Sequence, residues 1–294
     1  MAIDYHRLKC WPFPEVRHRY SEKDSMLYAL GVGFGMDPLD ESELRFVYED
    51  RLQAMPTMAV VLGYPGFWMK DPATGIDWQK LLHGEQRLSL HQPLPPAGEV
   101  VGRTRIKSIT DKGVGKGAIV VVERTVSDAQ SGALLATLEI VTFCRGDGGY
   151  SSGGHPSDSL DAVPVIVPDR APDAVCDLLT RPEMALVYRL SADPNPLHAD
   201  PVVARAAGFD RPILHGLASY GVAARAILKT WCNYQPERLK SFNLRFTAPV
   251  YPGETIRTEM WRRGRQIFFR ARVLERDLLV LNNGVAECTS LTNQ

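Results

Sequence analysis

The chain has 294 residues, about twice the ~100–150 of a usual domain, so it holds two domains or one doubled unit. Hydrophobic residues make up 45% and charged residues 23%, which excludes a disordered, collagen-like or coiled-coil chain. Its 34 Lys+Arg cancel its 34 Asp+Glu, so the broad basic surface of a nucleic-acid binder is not expected.

In chain order, Met1–Tyr20 carries Asp4, Glu15 and several basic residues and lacks the apolar core of a signal peptide. The uncharged stretch Ala54–Met69 is interrupted by Pro56, Gly63, Pro65 and Gly66 and falls short of the ~20 apolar residues that span a membrane. Pro56 suits the first position of a short helix over Thr57–Leu62. Strands are expected at Gly117–Val126 and Leu134–Phe143, divided by the turn signal Asp128–Gly132. Gly146–Asp173 is rich in glycine, serine and proline and reads as a connector, Val163–Val167 being its one apolar run. Beyond it, Leu217, Tyr220, Gly221, Ala224, Ile227, Leu228 and Trp231 recur at three- and four-residue steps, the mark of a buried helix face. Glu254–Trp261, a turn at Arg263-Gly264 and Gln266–Leu274 form a hairpin, and Leu278–Thr289 a last strand. In the hairpin Ile267, Phe269, Ala271 and Val273 alternate with Phe268, Arg270 and Arg272, which gives one covered and one wet face.

Cys10, Cys144, Cys176, Cys232 and Cys288 are scattered without C-x-x-C spacing, which suggests neither a disulfide framework nor a zinc site. The closing Leu291-Thr292-Asn293-Gln294 is not a Ser-Lys-Leu-type address. A cytosolic location is the expectation.

The same order of signals recurs on both sides of the connector. Tyr28-Ala29-Leu30 corresponds to Tyr188-Arg189-Leu190, and Leu88–Leu94 to Leu244–Val250 at an offset of 244 − 88 = 156 residues. Gly98-Glu99 and Gly253-Glu254 follow the second pair. One helix followed by antiparallel strands, twice over, predicts a duplicated α+β fold whose sheets curl around central helices.

The densest polar cluster is Ser191-Ala192-Asp193-Pro194-Asn195-Pro196-Leu197-His198, with Leu214-His215-Gly216-Leu217 further on. The two prolines forbid a regular helix and stiffen the loop. A carboxylate, an amide and an imidazole on one stiff loop can converge on one atom, as acid–base chemistry requires. Aligning Tyr28 with Tyr188 sets Gly33 opposite Asp193, Gly35 opposite Asn195 and Pro38 opposite His198. The first copy keeps the frame and lacks every polar group, which favours a site confined to the second copy. Asx-Pro turns and surface histidines are the bland alternative.

Tyr188–His198, with Asp-x-Asn-Pro-Leu-His at its centre, resembles the signature of the type 2 enoyl-CoA hydratases of the MaoC-like, hot-dog superfamily. Tyr28–Gly33, Leu44–Glu49, Pro56-Thr57, Leu82–Gln86, Asp111–Gly113 and Phe246–Gly253 are similar to segments of the double hot-dog hydratases. The likeness covers nearly the whole chain, and Ala192 departs from it by replacing the usual Gly.

The resemblance implies a double hot-dog fold, two antiparallel sheets each wrapped around a central helix. Residues 1–150 would form a non-catalytic half that accommodates the acyl chain, 151–173 a linker, and 174–294 the catalytic half. It also implies reversible syn hydration of a trans-2-enoyl-CoA to a (3R)-3-hydroxyacyl-CoA in fatty-acid or sterol side-chain β-oxidation. Asp193 and His198 carry over as the catalytic pair, Asn195 as an orienting group and the Gly216 N–H as the oxyanion donor. CoA thioester contacts carry over to His83, Gly84, Lys112, Asp193, Pro194, Asn195, Pro196, Leu197, His198, Gly216 and Phe246. CoA enters as part of the substrate, with no separate cofactor, no metal, no nucleic acid and no membrane, and a homodimer is the family expectation. Gly113-x-Gly115 does not follow the dinucleotide-binding fingerprint. The rival readings are a hot-dog thioesterase or acyl-carrier-protein dehydratase, a non-catalytic acyl-CoA binding or assembly module, and a metal site on Asp193, His198 and His215.

Overall fold

The computed structural model describes residues 3–159, 165–191 and 193–289. Val163 and Pro164 of the connector, Ala192 and the closing Leu291–Gln294 therefore lie outside the described residues. Among the described residues ten strands form one antiparallel sheet: β1 (Val16–Tyr20), β2 (Leu81–Leu90), β3 (Gly98–Asp111), β4 (Ala118–Asp128), β5 (Leu134–Cys144), β6 (Ala174–Leu179), β7 (Leu239–Phe246), β8 (Thr255–Arg263), β9 (Gln266–Val273) and β10 (Leu278–Cys288). Six α-helices accompany them among the described residues: α1 (Tyr5–Lys9), α2 (Glu22–Gly31), α3 (Glu41–Leu44), α4 (Met184–Tyr188), α5 (Pro201–Ala206) and α6 (Gly216–Trp231). Among the described residues no helix is long and apolar enough to cross a membrane.

The strand order β1-β3-β4-β5-β2-β7-β10-β9-β8-β6 contains the same five-strand order twice, running inward from each edge. The halves expected as two sheets meet edge to edge through β2 and β7. Their ladder runs from Glu85↔Arg245 to Ser89↔Ser241 with Arg87↔Asn243 at its centre. Those central residues differ by 243 − 87 = 156, the offset of the sequence repeat. A symmetric register of this kind is what a pseudo-twofold axis between two copies produces.

The strands at Ala118–Asp128, Leu134–Cys144, Thr255–Arg263, Gln266–Val273 and Leu278–Cys288 lie where the sequence places them, within two residues at each end. In β9 the alternate residues Ile267, Phe269, Ala271 and Val273 are buried. The longest strand, β3, shows no such alternation because its register shifts between Ile106 and Ser108, and a bulge moves the buried set to the other parity.

The second half wraps α6, whose residues 218–228 are all buried, Arg225 among them. The first half has only a 3-10 turn, Pro56–Val60, in the place of the expected Thr57–Leu62 helix. Gly63 ends it with a φ of +60°, and a Cβ there would stand 2.7 Å from the Gly102 Cα. Val60 and Val61 disfavour further helix, and the chain must turn down against β3 at this point. One apolar core runs through both halves and includes Tyr28, Tyr188, Met58, Tyr220, Phe242 and Phe269. The rings of Tyr28 and Tyr188, the paired tyrosines of the repeat, meet across its centre at 5.8 Å.

Candidate active site

The loop between α4 and α5 is built from its own polar side chains. The Asp193 Oδ1 accepts a hydrogen bond from the Asn195 N–H at 3.0 Å, and the Asn195 Oδ1 accepts from the Leu197 N–H at 3.1 Å. Two successive Asx turns, with Pro194 and Pro196 fixing φ between them, leave the loop little freedom. Pro196–His198 closes as a 3-10 turn capped by Asn195. The Asn195 oxygen therefore shapes the loop, and the residue itself is exposed, as are Pro194 and Pro196.

His198 ends this turn in a buried position, 8% exposed. Its Nδ1 lies 2.9 Å from the Ile213 carbonyl oxygen, which can only accept, so Nδ1 carries the proton and Nε2 the lone pair. The His215 Nε2 likewise faces the Asp193 carbonyl at 3.1 Å and donates to it, which leaves the His215 Nδ1 buried without a partner. The two imidazoles stack with centroids 3.7 Å apart, and Tyr188 packs on His215 at 5.0 Å. Asp193, His198 and His215 each bring one lone-pair atom to within 4.8 Å of the others.

Burial sets the protonation of this cluster. It lowers the His198 pKa below the ordinary 6.5, against the opposing pull of the Ile213 carbonyl and the Asp193 charge. Burial, then the adjacent His198, pushes His215 down to about 4. Both rings are neutral at pH 7, the state in which His198 Nε2 can take a proton. Neutral imidazoles beside a carboxylate are also metal ligands. The stacking at a 29° interplanar angle opposes that use, because near-parallel rings aim their in-plane lone pairs side by side.

A cavity of about 1050 Å³ opens between β2, β4 and β5 of the first half and the segments 209–219 and 245–250 of the second. Of the residues singled out from the sequence, His83, Gly84, Lys112, Gly216 and Phe246 line it together. None of its described lining residues comes from the 193–198 loop, which is tied to the lining residue Ile213 by the His198–Ile213 hydrogen bond. The predicted residues thus form two groups joined by the start of α6. His83 belongs to the cavity group: its ring meets Phe246 at 4.8 Å, its Nε2 is buried without a partner, and burial drives its pKa down to about 4 against the opposing influence of Glu85, Gln86 and the more weakly acting charge of Asp193. Arg87 is paired with Glu85 and Glu139, Arg245 with Glu85, and Lys107 with Glu139. Lys112 is exposed and has no ion pair among the described residues. A second depression of about 820 Å³, around Arg19, Lys23 and Glu99, holds none of these groups.

The corresponding position in the first half is filled. Gly33, opposite Asp193 in the repeat, has a φ of +92°, and a Cβ on it would stand 3.0 Å from the Arg225 Nη1. Arg225 of α6 donates to the Glu43 Oε1 through Nε at 3.0 Å and Nη2 at 2.6 Å, and Tyr234 donates to the same oxygen at 2.8 Å. The other Glu43 oxygen accepts from the Gly35 N–H at 3.1 Å. A buried ion pair between the halves thus occupies the place of the missing site. Its one trace in the sequence is the arginine at the centre of α6, where the other residues from 221 to 228 are apolar.

Two family profiles match the chain: the MFE-2 hydratase 2 N-terminal domain over residues 18–146 and the MaoC like domain over residues 165–283. The Arabidopsis thaliana protein named enoyl-CoA hydratase 2, peroxisomal, is 40% identical over 280 residues, covering 91% of this chain and 90% of its own. The chain belongs to the MaoC-like enoyl-CoA hydratase 2 family. A crystal structure of a MaoC-like dehydratase from Phytophthora capsici superposes with a TM-score of 0.84 at 35% identity, covering 97% of this chain and 98% of the other. A Mycobacterium tuberculosis protein described as having a double hotdog fold superposes with a TM-score of 0.52 at 15% identity over 94% of this chain and 93% of its own, a likeness of fold alone. In this hydratase 2 chain the N-terminal profile contains His83, Gly84 and Lys112, and the MaoC-like profile contains Asp193, His198 and Gly216.

Proposed function

We propose that this protein is an (R)-specific enoyl-CoA hydratase, a hydro-lyase that adds water reversibly across the double bond of a trans-2-enoyl-CoA in β-oxidation of fatty-acid or sterol side chains. The observation that carries the reading is the convergence of the Asp193 carboxylate with His198, its proton held on Nδ1 by the Ile213 carbonyl, and with His215, the residue that precedes the first N–H of α6.

Asp193 and His198 hold a water molecule and remove its proton as its oxygen bonds to C3. A proton returned from the pair to C2 on the same face completes the syn addition, and loss of water from the 3-hydroxyacyl thioester is the reverse. Negative charge develops on the thioester oxygen meanwhile. The Gly216 N–H, with the positive end of the α6 dipole behind it, stabilises that charge. Loss of one such donor typically costs ~3–4 kcal/mol. Asn195 holds the loop in which Asp193 and His198 stand. His83, Gly84, Phe246 and the loop residues Pro194, Pro196 and Leu197 contact the thioester portion, and Lys112 meets a CoA phosphate as a point charge. The acyl chain extends into the 1–150 half, with 151–173 as the linker and 174–294 as the catalytic half. The reading takes the enzyme to be a cytosolic homodimer that needs no cofactor.

Crotonyl-CoA incubated with the protein tests this directly. The expected result is loss of the enoyl-thioester absorbance with (3R)-3-hydroxybutyryl-CoA as the product. Release of free CoA would assign a thioesterase, an (S) product would reject the stereochemical reading, and binding without turnover would leave an acyl-CoA binding module.

A further inference from the structure

Arg124 lies on β4 with 1% of its surface exposed. Its Nη2 donates to the Val60 carbonyl at 2.6 Å, at the end of the 3-10 turn, while its Nε and Nη1 are buried and have no acceptor. Capping the turn accounts for the first contact and leaves two donors of a cation unused. Thr104 stands directly opposite Arg124 in the β3–β4 register, and its Oγ1 is also buried without a partner. Buried polar groups are almost always hydrogen-bonded, so three spare groups at one point of an apolar core mark a place shaped for something else. No carboxylate forms an ion pair with Arg124 among the described residues, and burial brings its pKa down only to about 10, so it remains a cation.

We propose that Arg124 and Thr104 form a subsite for a carboxylate at the far end of an acyl chain, so that carboxylate-terminated enoyl-CoA thioesters are substrates. This rests on the hydratase reading above. The two free N–H groups of a guanidinium match the two oxygens of a carboxylate, and the Thr104 hydroxyl supplies a third donor. The neighbours suit an alkyl chain, since Leu138 faces Arg124 across the β4–β5 ladder and Val60 and Val126 are core residues. The position is also connected to the chemistry. The Tyr64 ring lies over the Arg124 guanidinium at 5.4 Å and is 39% exposed. Burial raises the pKa of its hydroxyl, with the positive charge of Arg124 opposing and the negative charge of Asp193 adding to that shift. One residue at the surface thus lies within electrostatic reach of both the catalytic carboxylate and the buried cation.

The test compares kcat/KM for pairs of trans-2-enoyl-CoA substrates of equal length, one ending in a methyl group and one in a carboxylate, over a series of lengths. The wild type is expected to hydrate the carboxylate-terminated member efficiently at one length. In Arg124→Met the ratio of carboxylate to methyl kcat/KM should fall at least about tenfold, the scale of one lost charge-assisted hydrogen bond. An unchanged ratio, or rejection of every carboxylate-terminated chain by the wild type, overturns the subsite. Failure on the methyl-terminated members would instead refute the hydratase reading. Should Arg124→Met not fold, the thermal stability of the wild type decides: a free α,ω-dicarboxylate should stabilise it more than the monocarboxylate of equal length, and equal stabilisation overturns the proposal.

Discussion

Breaking the ion pair between Glu43 and Arg225 is expected to destabilise the whole molecule, because it joins the two halves in the core. Glu43 is 1% exposed and accepts four hydrogen bonds, from Arg225 Nε and Nη2, the Tyr234 hydroxyl and the Gly35 N–H. Substituting Glu43→Leu leaves the Arg225 cation, 4% to 5% exposed, without its counterion, a loss of about 3–5 kcal/mol. The Tyr234 hydroxyl and the Gly35 N–H lose their acceptor as well, at about 1 kcal/mol each. The sum is roughly 5 kcal/mol or more, which lowers Tm by roughly 10 °C or more. Arg225→Met should likewise destabilise, leaving the buried carboxylate without its counterion and with only the Tyr234 hydroxyl and the Gly35 N–H as donors. The double variant Glu43→Leu/Arg225→Met removes both charges together, and apolar groups of similar volume often replace a buried pair at little cost. It should therefore be more stable than either single variant. Calorimetry or guanidinium unfolding of the four proteins closes the cycle. A double variant as unstable as the sum of the singles, or a Glu43→Leu cost below about 1 kcal/mol, would refute the reasoning.

Three further outcomes are expected. His215 is pushed down to about 4, and His83 likewise; their unfolded forms take up protons near pH 6.5 while the folded forms do not. Stability contributed by keeping these rings neutral is therefore intact above pH 6.5 and falls as the pH drops from 6.5 toward 4, by on the order of 3 kcal/mol for His215 alone. Urea midpoints that stay level over that window would contradict it. Gly216→Ala should fold normally, since the added Cβ meets the Phe246 ring at an ordinary 3.4 Å; the methyl group then crowds the cavity beside the N–H proposed as the oxyanion donor, and kcat should drop with Tm unchanged within a few degrees. Prolonged treatment with EDTA should leave crotonyl-CoA hydration unaffected, and a loss restored by zinc would assign Asp193, His198 and His215 to a metal.

The parts of the fold that were legible in the sequence are those with strong periodicity or repetition. β9 alternates cleanly, α6 is apolar at helical steps, and the offset of 156 residues reappears as the Arg87↔Asn243 pair at the joint of the halves. What was hidden had a local irregularity behind it. β3 carries a bulge that spoils alternation, and the first half's helix is cut to a 3-10 turn where Val60 and Val61 weaken it locally and Gly63 approaches the distant Gly102, a contact the sequence does not display. The 193–198 loop was legible because its prolines and Asx residues act within a few positions. The stacking of His198 on His215 and the Glu43–Arg225 pair were not, because each joins residues far apart in the chain. Arg124 was invisible for the same reason: in sequence it is one charge in a strand, and only the structure shows its donors buried and unused.

The central claim is that Asp193 and His198 together move the protons of water addition. Its most direct measurement is the rate of crotonyl-CoA hydration by the wild type, Asp193→Asn and His198→Gln, with the Tm of each protein determined alongside. Loss of a positioned acid–base group typically lowers turnover by about 10²–10⁴-fold, and a fall of that size in both variants with Tm preserved is the predicted result. Rates equal to the wild type in both variants would contradict the account.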